Sequence, residues 1–229
     1  MIRNDGWNRN CIWEHSTSVR ELYAKRCRKA VEEMTAHAQA AELLAPRVAP
    51  GDVLLDVGCG SGYFWHSLVA RGIEVEYWGI DAAPSLIAVG KDLLPAHGLP
   101  AEFLRALRIE DVDGDVDHVV CINVLSNIDN YHRPLERMLK VARKSVILRE
   151  SLKAGAEYHY VADRFLDPGV ELNVHVNHYD IDEVCEFVRA RGFDVETIVD
   201  RRTGGEAELV IGHRHYWTFL VADRRPVRS

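Results

Sequence analysis

Apolar residues fall into two alternating rhythms along this chain. Short, nearly continuous apolar runs occupy 53–57, 74–80, 101–107, 116–124 and 145–148. Runs of that length suit strands buried on both faces of a parallel sheet. Between them apolar residues return every three or four positions, as on a helix with one buried face. This spacing predicts helices over 62–71, closed by Gly72, over 84–97, and over 130–142. Alternating strands and helices predict an α/β fold. Farther on come an irregular stretch over 152–178, a helix over 180–191 ended by Gly192, and strands over 193–199 and 213–222. Ahead of the first strand, Val19, Leu22, Tyr23, Ala30, Val31, Met34, Ala38, Ala41 and Leu44 predict one or two helices over 16–44, stopped by Pro46 and Pro50-Gly51. Residues 1–15 are polar apart from Trp7 and Trp13, and no internal repeat appears.

The first strand runs directly into Gly58-Cys59-Gly60-Ser61-Gly62, and an apolar helix-compatible run follows from Tyr63. Glycine admits positive φ and close approach of a ligand, because no Cβ is in the way. A helix N-terminus then offers free backbone N–H groups to an anionic or polar ligand. Strand, glycine turn and helix together predict a nucleotide-like ligand. The dinucleotide fingerprint is G-x-G-x-x-G. Here the spacing is G-x-G-x-G, Tyr63 stands at the last position, and Asp56 precedes the first glycine by two. The second strand ends in Asp81, about twenty residues on, where a carboxylate can accept two hydrogen bonds from the hydroxyls of a ribose. The competing reading of Asp81 is an N-cap for the helix near Pro84.

The segment Leu55-Asp56-Val57-Gly58-Cys59-Gly60-Ser61-Gly62 resembles motif I of the class I S-adenosylmethionine-dependent methyltransferases. That resemblance implies a Rossmann-like, seven-stranded, mostly parallel sheet with an antiparallel last strand and helices on both faces. It implies an N-terminal helical cap, 1–46, ahead of a cofactor-binding domain, 47–229. It implies S-adenosylmethionine as cofactor, leaving as S-adenosylhomocysteine. Carried over position by position, it assigns cofactor contacts to Asp56, Gly58, Cys59, Gly60 and Gly62, and to Asp81 with Ala82 for the ribose. Tyr23 is the corresponding contact from the cap, with helix packing as its plainer role. Many members carry Gly-Asp-Ala-Glu-Asp-Leu after the third strand, where this chain has Leu107-Arg108-Ile109-Glu110-Asp111-Val112. Arg108 therefore replaces the acid that meets adenine, and recognition falls to the amide near Ile109, or to Glu110 or Asp111.

The end of the fourth strand, Cys121-Ile122-Asn123-Val124-Leu125-Ser126-Asn127-Ile128, resembles motif IV, with Asn127 where relatives have histidine. Cys121 and Ile122 are then cofactor neighbours, and Asn123 and Asn127 face the substrate. In the family an insertion after the fifth strand covers the acceptor, which implicates 151–178 with Tyr158 and Tyr160. Arg149 and Glu150, where the fifth strand ends, are either substrate contacts or a salt bridge at the pocket rim. The resemblance is firm over about 40–150 and weak elsewhere.

Methyl transfer is an in-line displacement in which positioning supplies much of the rate. An oxygen acceptor must also lose a proton to a base. His178, His159 and Glu150 are the candidate catalytic groups, ahead of His175 and His66. His213-x-His215 and the His175/His178 pair raise a metal site, but no acidic ligand lies at a partner spacing, so no metal is expected.

Composition narrows the rest. A 47% hydrophobic and 28% charged chain is of ordinary globular type, and a net charge of −7 argues against a nucleic-acid partner. The basic run Arg20, Lys25, Arg26, Arg28 and Lys29 is interleaved with Glu21, Glu32 and Glu33, as on a solvated helix face. Cys11, Cys27, Cys59, Cys121 and Cys185 form no C-x-x-C pair, which suits reduced thiols in the cytosol. No apolar run approaches a membrane span of ~18–20 residues. The expectation is a cytoplasmic monomer or homodimer that methylates an oxygen or nitrogen of a small metabolite, sugar or natural product, without nucleic acid or membrane. The alternatives are an NAD-dependent oxidoreductase, which would need the glycine that Tyr63 replaces, and a non-catalytic cofactor-binding module.

Overall fold

The computed structural model describes residues 11–226; Trp7 lies outside them. The first apolar run forms β1 (Val53–Val57), which pairs in parallel with β2 (Glu76–Asp81) on one side and β4 (Val116–Ile122) on the other. β3 (Leu104–Ala106) extends the sheet beyond β2, and β5 (Ala142–Lys153) extends it beyond β4, again in parallel. β12 (Trp217–Arg224) is antiparallel to both of its neighbours, β5 and β9 (Phe193–Val199). The order is β3-β2-β1-β4-β5-β12-β9, and β8 (Tyr179–Asp180) pairs with the far end of β5 as an eighth strand.

The last strand, β12, is antiparallel as expected, and β8 adds an eighth strand to the seven of the main path. β12 occupies an interior slot because Phe219, Leu220, Val221 and Ala222 are all buried. β9 takes the edge because Asp194, Glu196, Thr197 and Val199 are exposed. A continuous apolar strand needs cover on both faces, whereas a mixed one tolerates the rim.

Successive residues of a strand point to opposite faces, and two cores result. Leu55, Val119, Cys121, Val146 and Leu148 face α5 (His132–Val141) and α6 (Ile181–Arg189). Leu54, Val120, Ile147 and Phe219 face α2 (Thr35–Leu44), α3 (Trp65–Ala70) and α4 (Pro84–Leu93). Ala40, Ala41 and Leu44 of α2 are completely buried in this second core, so the helix is part of the sheet's packing. α1 (Thr17–Cys27) precedes it, and Lys29 breaks the two helices apart with a φ of 56°.

The irregular stretch contains a hairpin, β6 (Tyr160–Ala162) with β7 (Asn173–His175). The strand expected over 213–222 is two elements. β10 (Glu208–Val210) and β11 (His213–His215) form a hairpin, and β12 starts two residues later. β3 is shorter than expected because residues 101–103 make a 3-10 turn after Pro100.

A buried polar brace ties β1, β4 and β5 at the end opposite the glycine turn. His118 Nδ1 lies 2.8 Å from Ser145 Oγ, and Nε2 lies 2.9 Å from Asp52 Oδ2. Asp52 also accepts from Ala49 N and pairs with Lys144. Burial raises the Asp52 pKa, but the bonds from Lys144, Ala49 and His118 outweigh it and hold it at about 2. The order Ser–His–Asp is that of a nucleophilic triad, yet Ser145 and His118 are closed to solvent. Among the described residues no helix is long and apolar enough to cross a membrane.

Candidate active site

Beyond β1 the chain turns sharply, and Gly58 N and Cys59 N both donate to Ile80 O at the end of β2, at 2.8 and 3.0 Å. Gly60 has a φ of 59°, and a Cβ there would lie 2.1 Å from Cε1 of Tyr23. A Cβ at Gly58 would lie 2.2 Å from Cγ2 of Val124. Glycine is thus required at both positions by contact as well as by conformation.

Asp81 spans the turn and the next helix. Its Oδ2 accepts from Gly60 N and its Oδ1 from Ala83 N, both at 2.8 Å. The N-cap of α4 is Ala83, so Asp81 stands beside the helix without capping it. Burial pushes its pKa up to about 6 against the pull of these two N–H groups. Ala82 lies half-buried in the connection. Asp56 is 4% exposed and accepts from Tyr77 OH at 2.6 Å. Burial raises it to about 7 although that hydrogen bond opposes the shift.

The N-terminal helices close over this turn. Tyr23 meets Tyr63 edge-on at 5.4 Å, and Arg26 lies 5.3 and 5.0 Å from the two ring centres. Arg26 Nη1 donates to Tyr63 OH at 2.8 Å, and His37 stacks on the Tyr63 ring at 4.5 Å. Burial, then the charge of Arg26, pushes His37 down to about 3. Glu14 accepts from Ser85 N and Ser85 Oγ, which holds the start of the cap against α4. The cap also meets the 151–178 insertion, here called the arm: Ser16 Oγ donates to Phe165 O at 2.6 Å, Thr17 N to Asp167 Oδ1 at 2.8 Å, and Asp167 N to His15 O at 2.8 Å.

At the end of β4, Asn123 adopts a φ of 59°, a strained conformation for a residue other than glycine. Its N donates to Arg149 O, its Oδ1 accepts from Arg149 Nη1, and its carbonyl accepts from Asn127 Nδ2. The two asparagines therefore form one polar corner beside the glycine turn.

Residues 55–148, from β1 into β5, match a family model described as a methyltransferase domain. Over that stretch the chain is similar to S-adenosylmethionine-dependent methyltransferases. A ubiquinone biosynthesis O-methyltransferase of Rickettsia conorii is 32% identical over 89 residues, 38% of this chain and 30% of that protein. The chain spans about a third of the length of the ubiquinone-biosynthesis relatives it matches. A demethylmenaquinone methyltransferase of Geobacillus kaustophilus is 28% identical over 190 residues, 73% of this chain and 81% of that one. An amino pentose methyltransferase of Micromonospora echinaspora, solved with S-adenosylmethionine, superposes with a TM-score of 0.59 at 18% identity, covering 90% of this chain and 96% of its own.

Several expectations about this methyltransferase site need correction. Glu150 is not free to act as a base. Its Oε1 accepts from Val124 N and Leu125 N, and its Oε2 from Ser126 N and Ser126 Oγ, all at 2.8–2.9 Å. Alternation along β5 sends Arg149 toward the cap and Glu150 into the core shared with α5 and α6. Cys121 is fully buried in that same core with its thiol toward Glu150, so its side chain packs and does not line a pocket. Tyr158 and Tyr160 are 59% and 61% exposed and rest on Tyr179 and His175. Arg149 is no rim residue; it forms a buried ion pair with Asp200 at 2.7 Å.

The remaining methyltransferase candidates divide into groups. Ile122 and Asn127 are half-buried near Asn123, Ile109 is buried in a 3-10 turn after β3, and Glu110 is exposed. His178 is buried, pairs through its backbone with Glu157, and lies edge-on to Tyr216 at 5.7 Å. His159 lies 3.9 Å from the His213 ring. His66 is bonded to Cys27 O, away from the arm. Sequence reasoning missed His37, Asp200 and Trp217, and read Arg26 as part of a solvated helix face and His215 as one of a pair that raised a metal site. Of the missed residues only Trp217 left a signal: with His215, Phe219 and Val221 it alternates along one strand face.

Proposed function

We propose that the protein transfers the methyl group of S-adenosylmethionine to an oxygen or nitrogen of a small-molecule acceptor. The observation that carries this reading is the joint placement of Asp81 and the glycine turn. Gly58 and Gly60 let Val124 and Tyr23 approach the backbone of the turn where any Cβ would collide. A carboxylate has about four acceptor positions, and Asp81 uses two of them on Gly60 N and Ala83 N. The others suit the vicinal hydroxyls of a ribose. Tyr23, Arg26 and His37 frame the same turn. When bound there, the cofactor supplies a methyl group activated by its sulfonium.

The chain's own residues orient the acceptor and keep water out. The cap and the arm, joined at Asp167, enclose the site. Asn123, held by Arg149, presents a fixed polar edge at the end of β4. With Glu150 committed to backbone donors, His178 is the first choice to take a proton from an oxygen acceptor, then His159. Relatives named for ubiquinone and menaquinone methylation, together with natural-product enzymes of the same fold, support a small acceptor. One relative is named for 18S rRNA, but the net charge of −7 disfavours a polyanionic substrate.

Calorimetric titration with S-adenosylmethionine tests the reading. Binding is expected, and none at millimolar ligand would overturn it. NADH, titrated in parallel, is expected not to bind, because Tyr63 fills the position of the third dinucleotide glycine.

A further inference from the structure

A single buried guanidinium links three parts of the molecule that are far apart in sequence. Arg149, on β5, is 1% exposed. Its Nε donates to Asp200, just beyond the end of β9, at 2.7 Å, and its Nη1 donates to Asn123 Oδ1, just beyond the end of β4. The Trp217 ring has its centre 4.5 Å from the guanidinium. Asp200 is itself held in place. It accepts from Thr203 N and Thr203 Oγ1 at 3.0 and 3.1 Å. Gln39 of α2 bonds the backbone on either side of it, donating to Val199 O and accepting from Arg201 N, both at 2.8 Å.

Stability does not explain this arrangement. An ion pair closed to water gains little over well-packed apolar residues, because desolvation of both charges offsets their attraction. Arg149 Nη2 is buried as well and has no partner among the described residues, a further cost. What the arginine achieves is orientation. It carries donors only, so the Asn123 amide must turn its oxygen toward it. Asn123 N also donates to Arg149 O at 2.8 Å. One residue thus holds Asn123 by backbone and side chain while Asn123 keeps a φ of 59°. The next residue, Val124, packs on the glycine turn, where a Cβ at Gly58 would lie 2.2 Å from its Cγ2. Val124, Leu125 and Ser126 then continue the turn with N–H bonds to Glu150.

We infer that Arg149 and Asp200 are positioning residues for cofactor binding: acting through Asn123, they hold the 123–126 turn against Gly58 and so fix the glycine turn. Neither need touch the ligand. That the ligand is S-adenosylmethionine rests on the methyltransferase reading; the coupling from Asp200 to Gly58 does not. Through Gln39 the same path gives α2 a hold on the glycine turn from the far side of the sheet's last strands.

The test combines amide hydrogen exchange in the ligand-free protein with calorimetric titration of S-adenosylhomocysteine, on Asp200→Asn, Asn123→Gly and the double variant. Glycine accepts a positive φ without strain, so Asn123→Gly removes the held side chain and keeps the backbone conformation accessible. In Asp200→Asn the amides of Asn123, Val124, Leu125 and Ser126 are expected to exchange at least tenfold faster, relative to those of Leu54 and Leu55 in β1. Each single variant should weaken S-adenosylhomocysteine binding at least tenfold. The double variant should bind within twofold of the weaker single one, because both changes cut one path. A merely structural ion pair gives another pattern. Asp200→Asn would then melt at lower temperature with exchange raised uniformly and affinity unchanged, or the losses would multiply in the double variant. Either result overturns the inference. So does wild-type affinity in Asn123→Gly, which decides alone should Asp200→Asn fail to fold. If S-adenosylhomocysteine does not bind the wild type, the methyltransferase reading fails, and exchange at 123–126 in whichever variant folds still decides the coupling.

Discussion

Asp81 Oδ2 accepts a hydrogen bond from the backbone N–H of Gly60 at 2.8 Å, across twenty-one residues of chain. One carboxylate thus fixes the glycine turn relative to β2, and the ribose role proposed for it can be tested by substitution. Asp81→Ala is expected to weaken binding of S-adenosylhomocysteine by about 1–3 kcal/mol, the worth of charge-assisted hydrogen bonds. Asp81→Asn should fall between, because the amide retains one acceptor oxygen. Calorimetry reads both, and wild-type affinity in the alanine variant would remove the ribose role.

Asp56 and Asp81 make the ligand-free protein sensitive to pH in an unusual direction. Burial raises Asp56 to about 7 and Asp81 to about 6 from an ordinary 3.8. Well below pH 3.8 both are protonated whether folded or not. As pH rises toward 7 the unfolded chain loses these protons first, so the folded state is progressively disfavoured. By neutral pH the two acids together should cost on the order of 7 kcal/mol, at ~1.4 kcal/mol per pKa unit. Asp56→Asn is expected to flatten the fall in melting temperature between pH 4.5 and 7.5. A slope identical to that of the wild type would count against this account.

Glu150 distinguishes a brace from a base. Glu150→Gln replaces charge-assisted bonds to the 124–126 turn with weaker ones and points a new donor at existing donors. A loss of about 2–3 kcal/mol in unfolding free energy is expected. A catalytic base would give the opposite pattern: unchanged stability, with methyl transfer abolished.

The Ser145–His118–Asp52 brace is predicted to serve stability alone. Ser145→Ala should cost about 1 kcal/mol by removing one buried hydrogen bond, and His118→Ala about 3 kcal/mol by leaving Asp52 undercompensated. S-adenosylhomocysteine affinity should be unchanged in both. Ester hydrolysis by the wild-type protein, lost in Ser145→Ala, would show instead that the triad is reached by substrate.

Legibility in the sequence followed the distance over which each feature is decided. β1, the glycine turn and Asp81 were readable because an apolar run, a turn and an acid at a strand end are local patterns. Asp81 could not be separated from an N-cap until its bond to Gly60 was seen. Glu150 reads as a reactive acid at a pocket, since nothing local reveals that donors some twenty-five residues away occupy both oxygens. Tyr158 and Tyr160 read as pocket aromatics from their setting among histidines, but the hairpin they stand on turns them outward. The antiparallel last strand was part of the resemblance, but its slot between β5 and β9 is a long-range pairing that no local pattern shows.

That placement has a consequence for biosynthesis. β12 is translated after β9, yet it occupies the gap between β5 and β9. Until residues 217–224 leave the ribosome, the apolar flanks of β5 and β9 have no correct neighbour, and pairing with each other would be the wrong register of the sheet. The nascent chain therefore carries an open seam from the emergence of β5 until β12 follows. Exposed strand edges of this kind are where intermediates aggregate or recruit chaperones. The half from β1 to β4 can assemble as it emerges, while closure of the seam waits for the keystone strand.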